Sequence, residues 1–307
     1  MTHDISGVIN SLPMFFDEDG IVDFRNFELY MKKLVENGEP KLFYAMAYNT
    51  RIQYLDSEDL VELHRILEDV SKSTGIPWVA VPPYKASTGQ LHTFFEKIDA
   101  SDLIYGASIL FPERVYEKDR VFFDYFSVPN KFGLKTLAHE MKLISGLDGE
   151  LVDWKFNDLC ELQRSCELVG IKEDSKNDTL TNQALGMAGI DIILAGGGVT
   201  QLSRVLGSRP KSWLAGVSLA FPEMTYLENK VLRDEHIREV FINNIEKPFF
   251  KLCAKFGWHR VHKASLHING GFPIFEPHPM STLSTAQVEE VRKVWASEIR
   301  PAIDSLA

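Results

Sequence analysis

The stretch Glu167-Leu-Val-Gly-Ile-Lys-Glu-Asp-Ser175 places a lysine at the end of an apolar, β-rich run. Side chains alternate along a strand, so Leu168, Gly170 and Lys172 share one face while Val169 and Ile171 share the other. If the first face turns into a closed sheet, the Lys172 amine is largely out of water. Burial disfavours an ammonium, lowers its pKa and frees a neutral nitrogen able to attack a carbonyl and form a Schiff base. A strand-end lysine is also a common ion-pair partner, and Glu173 or Glu140 could fill that role.

The elements that must position such an amine can be read from the rhythm of the chain. Short apolar runs at 6–12, 41–46, 77–81, 103–110, 134–138, 167–171, 191–194 and 212–217 alternate with longer amphipathic ones. That alternation predicts a parallel sheet, and eight runs predict a closed (β/α)8 barrel of the α/β class. After Phe221-Pro222 only helical patterns follow, from 223 to 256, from 261 to 267, and in a last helix opened by the capping pattern Ser284-Thr-Ala-Gln287. The expected organisation is a barrel over 1–221 with a C-terminal helical extension over 222–307 packed on it.

Reacting groups in such barrels gather where the strands end and in the loops that follow. Tyr48 would put a phenol in the opening, or pack as an aromatic with its hydroxyl in water. Asn49 and Thr50 could donate to a substrate oxygen, and Arg51 could clamp a carboxylate or sit in a structural salt bridge. Gly196, opening Gly196-Gly-Gly198, marks a tight turn near the pocket, Ser218 follows the last run, and both are candidate substrate contacts.

The 307 residues include 33 Lys+Arg and 43 Asp+Glu, a formal net charge of −10. Without a basic block there is no electrostatic footprint for nucleic acid or an anionic membrane. No run of 18 apolar residues and no basic, apolar leader appears, so a cytoplasmic protein is expected. Cys160, Cys166 and Cys253 cannot all pair and are expected to be reduced. His259, His262, His267 and His278 lack the spacing of a metal site, and neither metal nor cofactor is expected.

Gly170-Ile-Lys-Glu173 after a β-rich run resembles the Schiff-base lysine motif of the dihydrodipicolinate synthase and N-acetylneuraminate lyase family of class I aldolases. The strand and loop around Gly7-Val-Ile to Phe16-Asp-Glu-Asp-Gly20, Pro112, and the run Asp191 to Gly198 fall in register with that family, over roughly residues 5 to 222. The resemblance implies a lyase in which Lys172 forms an imine with a 2-keto acid or related carbonyl compound, and a homo-oligomer, either dimer or tetramer. It also exposes departures. The family's Gly-Thr-Thr-Gly-Glu loop, which holds the keto-acid carboxylate, reads Ala47-Tyr-Asn-Thr-Arg51 here, so Asn49 and Thr50 with backbone amides would have to replace the threonines. His139 stands where the family has a proton-relaying tyrosine, which makes His139, or Tyr48, the expected general acid/base. These changes argue against true dihydrodipicolinate synthase activity and keep open a non-catalytic barrel that binds a metabolite.

Overall fold

Eight short parallel strands close on themselves in chain order, the last returning to pair with the first. They are β1 Gly7–Ser11, β2 Phe43–Tyr44, β3 Trp78–Ala80, β4 Ile104–Ile109, β5 Thr136–His139, β6 Leu168–Glu173, β7 Asp191–Ala195 and β8 Ser212–Leu214. This computed structural model describes residues 3–45, 48–99, 101–112, 118–139, 154–174, 177–196, 199–208 and 212–306, with the backbone alone at 199–201 and 208. The expected (β/α)8 barrel is the architecture found, and each apolar run overlaps one strand.

The helices between the strands begin and end where local chemistry dictates. The Asp56 carboxylate accepts from the N–H groups of Glu58 and Asp59 to start the helix Ser57–Thr74, which stops on Gly75 at φ 74°. The helix Phe24–Asn37, capped by Asp23, buries Phe27, Tyr30, Met31 and Leu34 at helical spacing.

Past the barrel, the single helix expected from 223 to 256 is broken into four pieces. Met224–Val231 is followed by Glu235–Val240, a widened π turn Phe241–Glu246, and Lys247–Phe256. Asp234 makes the first break by capping, its side chain accepting the Ile237 N–H at 3.0 Å. The widened turn ends just before Lys247-Pro248, and the proline has no N–H to give to an ordinary helical bond. The next helix, Trp258–Gly270, runs beyond the expected 261–267 at both ends. The Ser284 capping box forms as its sequence predicts, opening the helix Thr285–Val294.

Register decides which strand residues meet this tail. Val8 lies opposite Trp213, and Trp213 opposite Leu194. All three face out of the barrel into one apolar cluster with Phe221, Ile245, Phe249 and Trp295. Burial of that cluster joins extension to barrel. No helix among the described residues is long and apolar enough to cross a membrane.

Candidate functional site

The same register tells which side chains fill the barrel. His139 lies opposite Lys172, Lys172 opposite Ile193, Ile193 opposite Ser212 and Ser212 opposite Gly7, so this row shares a face. Glu173, the next residue along β6, points the other way. Its Oε2 accepts from Thr181 Oγ1 at 2.6 Å and lies 3.5 Å from Arg204 Nη2, on the helices Asp178–Leu185 and Val199–Ser208 that cover the barrel. Lys172 therefore faces the interior, and Glu173 is not its ion-pair partner. Glu140 lies outside the described residues.

Inside, Lys172 Nζ sits 2.7 Å from His139 Nε2, and each residue is 1% exposed. With Lys172 as the donor of this contact the imidazole nitrogen that faces it accepts, and the ring proton is assigned to Nδ1. Burial, and then the charge of Lys172, hold His139 well below the ordinary histidine pKa and keep it neutral. Asp174, on the same face as Lys172, brings its Oδ2 to 3.4 Å from Nζ. The amine thus has a neutral base on one side and a carboxylate on the other.

Two hydroxyls outside the expected set share this interior. Tyr44 ends β2 opposite Ser11, and Ser108 lies opposite Leu137 of β5, which shares its face with His139. Tyr44 Oη and Ser108 Oγ are 2.6 Å apart and buried. Burial, and to a lesser degree the Asp174 carboxylate, push the phenol above its ordinary pKa, so it stays protonated. The signal was in the sequence: a polar residue inside an apolar strand run, on the inward alternation, must find a partner in the barrel.

The remaining expected residues are dispersed. Asn49 Nδ2 donates to Ser11 Oγ at 3.1 Å, and Asn49 Oδ1 accepts from Trp258 Nε1 at 3.2 Å, so its amide joins the rim of the barrel to the tail helix. Thr50 Oγ1 is spent on the Leu12 carbonyl at 2.5 Å. Arg51, a candidate for clamping a substrate carboxylate, is instead held in a buried pair with Glu276, its Nε at 3.1 Å and Nη2 at 2.8 Å from Oε2. Tyr48 is 46% exposed with its ring 4.8 Å from that of His259, and its contact is with the tail. Gly196, at φ 110°, donates to the Leu214 carbonyl and accepts from Trp213 Nε1, which closes β7 onto β8. Gly197 and Gly198 lie outside the described residues.

Ser218, expected among substrate contacts, is fully buried in the seam between barrel and extension. Its N–H donates to Glu228 Oε1 at 3.2 Å, and its carbonyl accepts from Asn10, an outward-facing residue of β1. The turn Val217–Ala220 after β8 tucks under the next helix, and that removes the serine from the opening.

The same barrel with its tail is found among solved structures. Proteus mirabilis N-acetylneuraminate lyase superposes with a TM-score of 0.81 over 96% of this chain and 99% of that one, at 14% identity. The chain has the N-acetylneuraminate lyase fold. A Ruminococcus gnavus sialic acid aldolase, solved as a catalytic lysine mutant, shares the fold with a TM-score of 0.80, 16% identity and coverage of 99% of this chain and 98% of that one. A prophage protein of E. coli K12 from the dihydrodipicolinic acid synthase family, solved with pyruvate, shares it with a TM-score of 0.76, 14% identity and coverage of 95% and 97%. No family model matches the chain. No curated protein matches it in sequence.

Proposed function

We propose that the protein is a lyase of the class I aldolase type, in which Lys172 forms a Schiff base with a 2-keto acid. The observation that carries this reading is the Lys172 amine inside the barrel, 2.7 Å from the acceptor nitrogen of a neutral His139. The amine adds to the keto carbon, water leaves, and a protonated imine results. A bond on the neighbouring carbon then breaks with its electron pair drawn toward the iminium nitrogen. His139, buried and uncharged, is placed to take and return the proton. The fold shared with a sialic acid aldolase whose lysine is catalytic and with a protein solved with pyruvate supports the same reading.

Incubation with pyruvate and borohydride, followed by mass mapping, is the direct test. The wild type gains a reduced adduct on the peptide carrying Lys172, and Lys172→Ala gains none. A wild type that traps nothing from a broad keto-acid panel overturns the reading. That outcome would favour a metabolite-binding barrel, for which the commitment of Arg51 to Glu276 and of Asn49 to Ser11 and Trp258 already speaks.

A further inference from the structure

The Tyr44–Ser108 pair holds more hydrogens than it uses. Two hydroxyls joined by one hydrogen bond employ one O–H as donor and leave the second O–H to point elsewhere. Among the described residues neither side chain makes any other hydrogen bond. Both are buried in the barrel, where a donor without an acceptor is costly. A group that enters the barrel and can accept a hydrogen bond is the natural partner.

The carboxylate of Asp174 restricts what that group can be. Asp174 lies on the Lys172 side of the interior and its charge acts on the Tyr44 phenol. A second carboxylate brought to the pair would meet Asp174 as a like charge. A hydroxyl would accept from Tyr44 or Ser108 and donate to Asp174, satisfying both sides. The geometry points to a catalytic seat in which the Tyr44–Ser108 hydroxyls hold the oxygen of a substrate hydroxyl and Asp174 takes its proton. This rests on the Schiff-base reading and adds to it the residues that break the carbon–carbon bond.

The step balances without any further reactant. With the substrate held as an imine on Lys172, Asp174 removes the proton of the hydroxyl two carbons from the imine carbon. The oxygen becomes a carbonyl, the bond between the hydroxyl-bearing carbon and the carbon next to the imine breaks, and its electron pair passes into the iminium to give an enamine. The aldehyde departs while Tyr44 or Ser108 donates to its oxygen. His139 then hands a proton taken up from water to the enamine carbon while Asp174 returns its own proton to water, so the two proton transfers belong to different groups. Environments that keep one titratable group neutral as base and another neutral as donor are a common mark of such a division.

The test separates imine formation from bond making. For each variant, borohydride trapping of pyruvate reads the imine, exchange of the pyruvate methyl protons in heavy water reads the enamine, and condensation of pyruvate with glyceraldehyde reads the hydroxyl seat. Asp174→Asn is expected to lose condensation by roughly 100-fold, the ordinary worth of a positioned acid or base, while keeping most of its trapping and exchange. Tyr44→Phe, which preserves the ring and its packing, is expected to show the same split and covers the case in which the Asp174 variant fails to fold. Condensation at the wild-type rate in both variants overturns the proposal. So does a parallel loss of trapping, exchange and condensation, which would make Asp174 a partner of the amine alone. A wild-type protein that traps pyruvate but condenses it with no aldehyde overturns the seat and leaves the imine standing, whereas one that does not trap pyruvate removes both.

Discussion

A histidine kept neutral beside an amine has a consequence for pH dependence that can be measured. Burial and the charge of Lys172 both depress the His139 pKa, so the ring is already unprotonated well below the ordinary histidine value of 6.5. Between about pH 6 and pH 8 it should not change charge, and the exchange of pyruvate methyl protons should show no limb belonging to His139 in that range. A limb near 6.5 that disappears in His139→Gln would contradict this. The same variant should slow exchange by roughly 100-fold or more, because an amide cannot accept the proton that a neutral imidazole can. The change from an ordinary histidine comes from its place on β5, opposite Lys172 and under a closed layer of strands, and not from any neighbour in sequence.

At the scale of an element, His64 shows how a titratable group fastens a helix to the barrel. Its Nδ1 lies 2.5 Å from the Leu60 carbonyl and its Nε2 accepts the Val81 N–H at 2.9 Å, which fixes one neutral tautomer between the helix Ser57–Thr74 and the end of β3. Burial lowers its pKa to about 4. Protonation would place a hydrogen against the Val81 N–H and charge a buried ring. The depressed pKa means that the unfolded chain binds the proton first, so this stabilisation is present above 6.5 and is lost as pH falls toward 4. From about pH 7 to pH 5, the loss amounts to about 2 kcal/mol, and the unfolding free energy from urea titration should fall by that much more in wild type than in His64→Gln. Equal slopes would show that the ring is not held neutral. Elements of this kind were legible in outline. Eight runs gave eight strands because ladder pairing demands apolar, β-rich sequence, and Lys172 could be placed inward because alternation survives in a strand. Tyr44, Ser108 and Asp174 were not singled out, since their importance depends on which strands lie across the barrel from one another. Arg51 and Ser218 read as residues of the opening, because sequence cannot show that Glu276, far along the chain, captures Arg51, or that the turn after β8 folds the Ser218 backbone back onto Glu228.

The whole molecule is joined across the same divide by a charge pair. Arg51 sits in the loop after β2 with φ 62°, a left-handed conformation uncommon for a residue with a side chain, and its guanidinium meets Glu276 with side-chain exposures of 5% and 0%. Close by, Lys263 of the tail helix donates to the Met14 carbonyl and lies over the rings of Phe15 and Phe16, 4.7 and 5.3 Å from their centroids. Barrel loops and extension therefore share buried charges as well as the apolar seam. Removing one member of a buried pair strands the other without water, at a cost of about 3–5 kcal/mol, whereas replacing both by apolar side chains of similar volume can be nearly neutral. Glu276→Gln should accordingly lower the unfolding free energy by that amount. Arg51→Met combined with Glu276→Leu should lose much less, and the double-mutant cycle should show strong coupling. If the single variant unfolds at the wild-type urea midpoint, the pair does not fasten the extension to the barrel. If the double variant is as unstable as the single one, the strained loop depends on the guanidinium itself, for instance through its stacking near Tyr54 at 5.9 Å, and charge neutralisation is not what holds it.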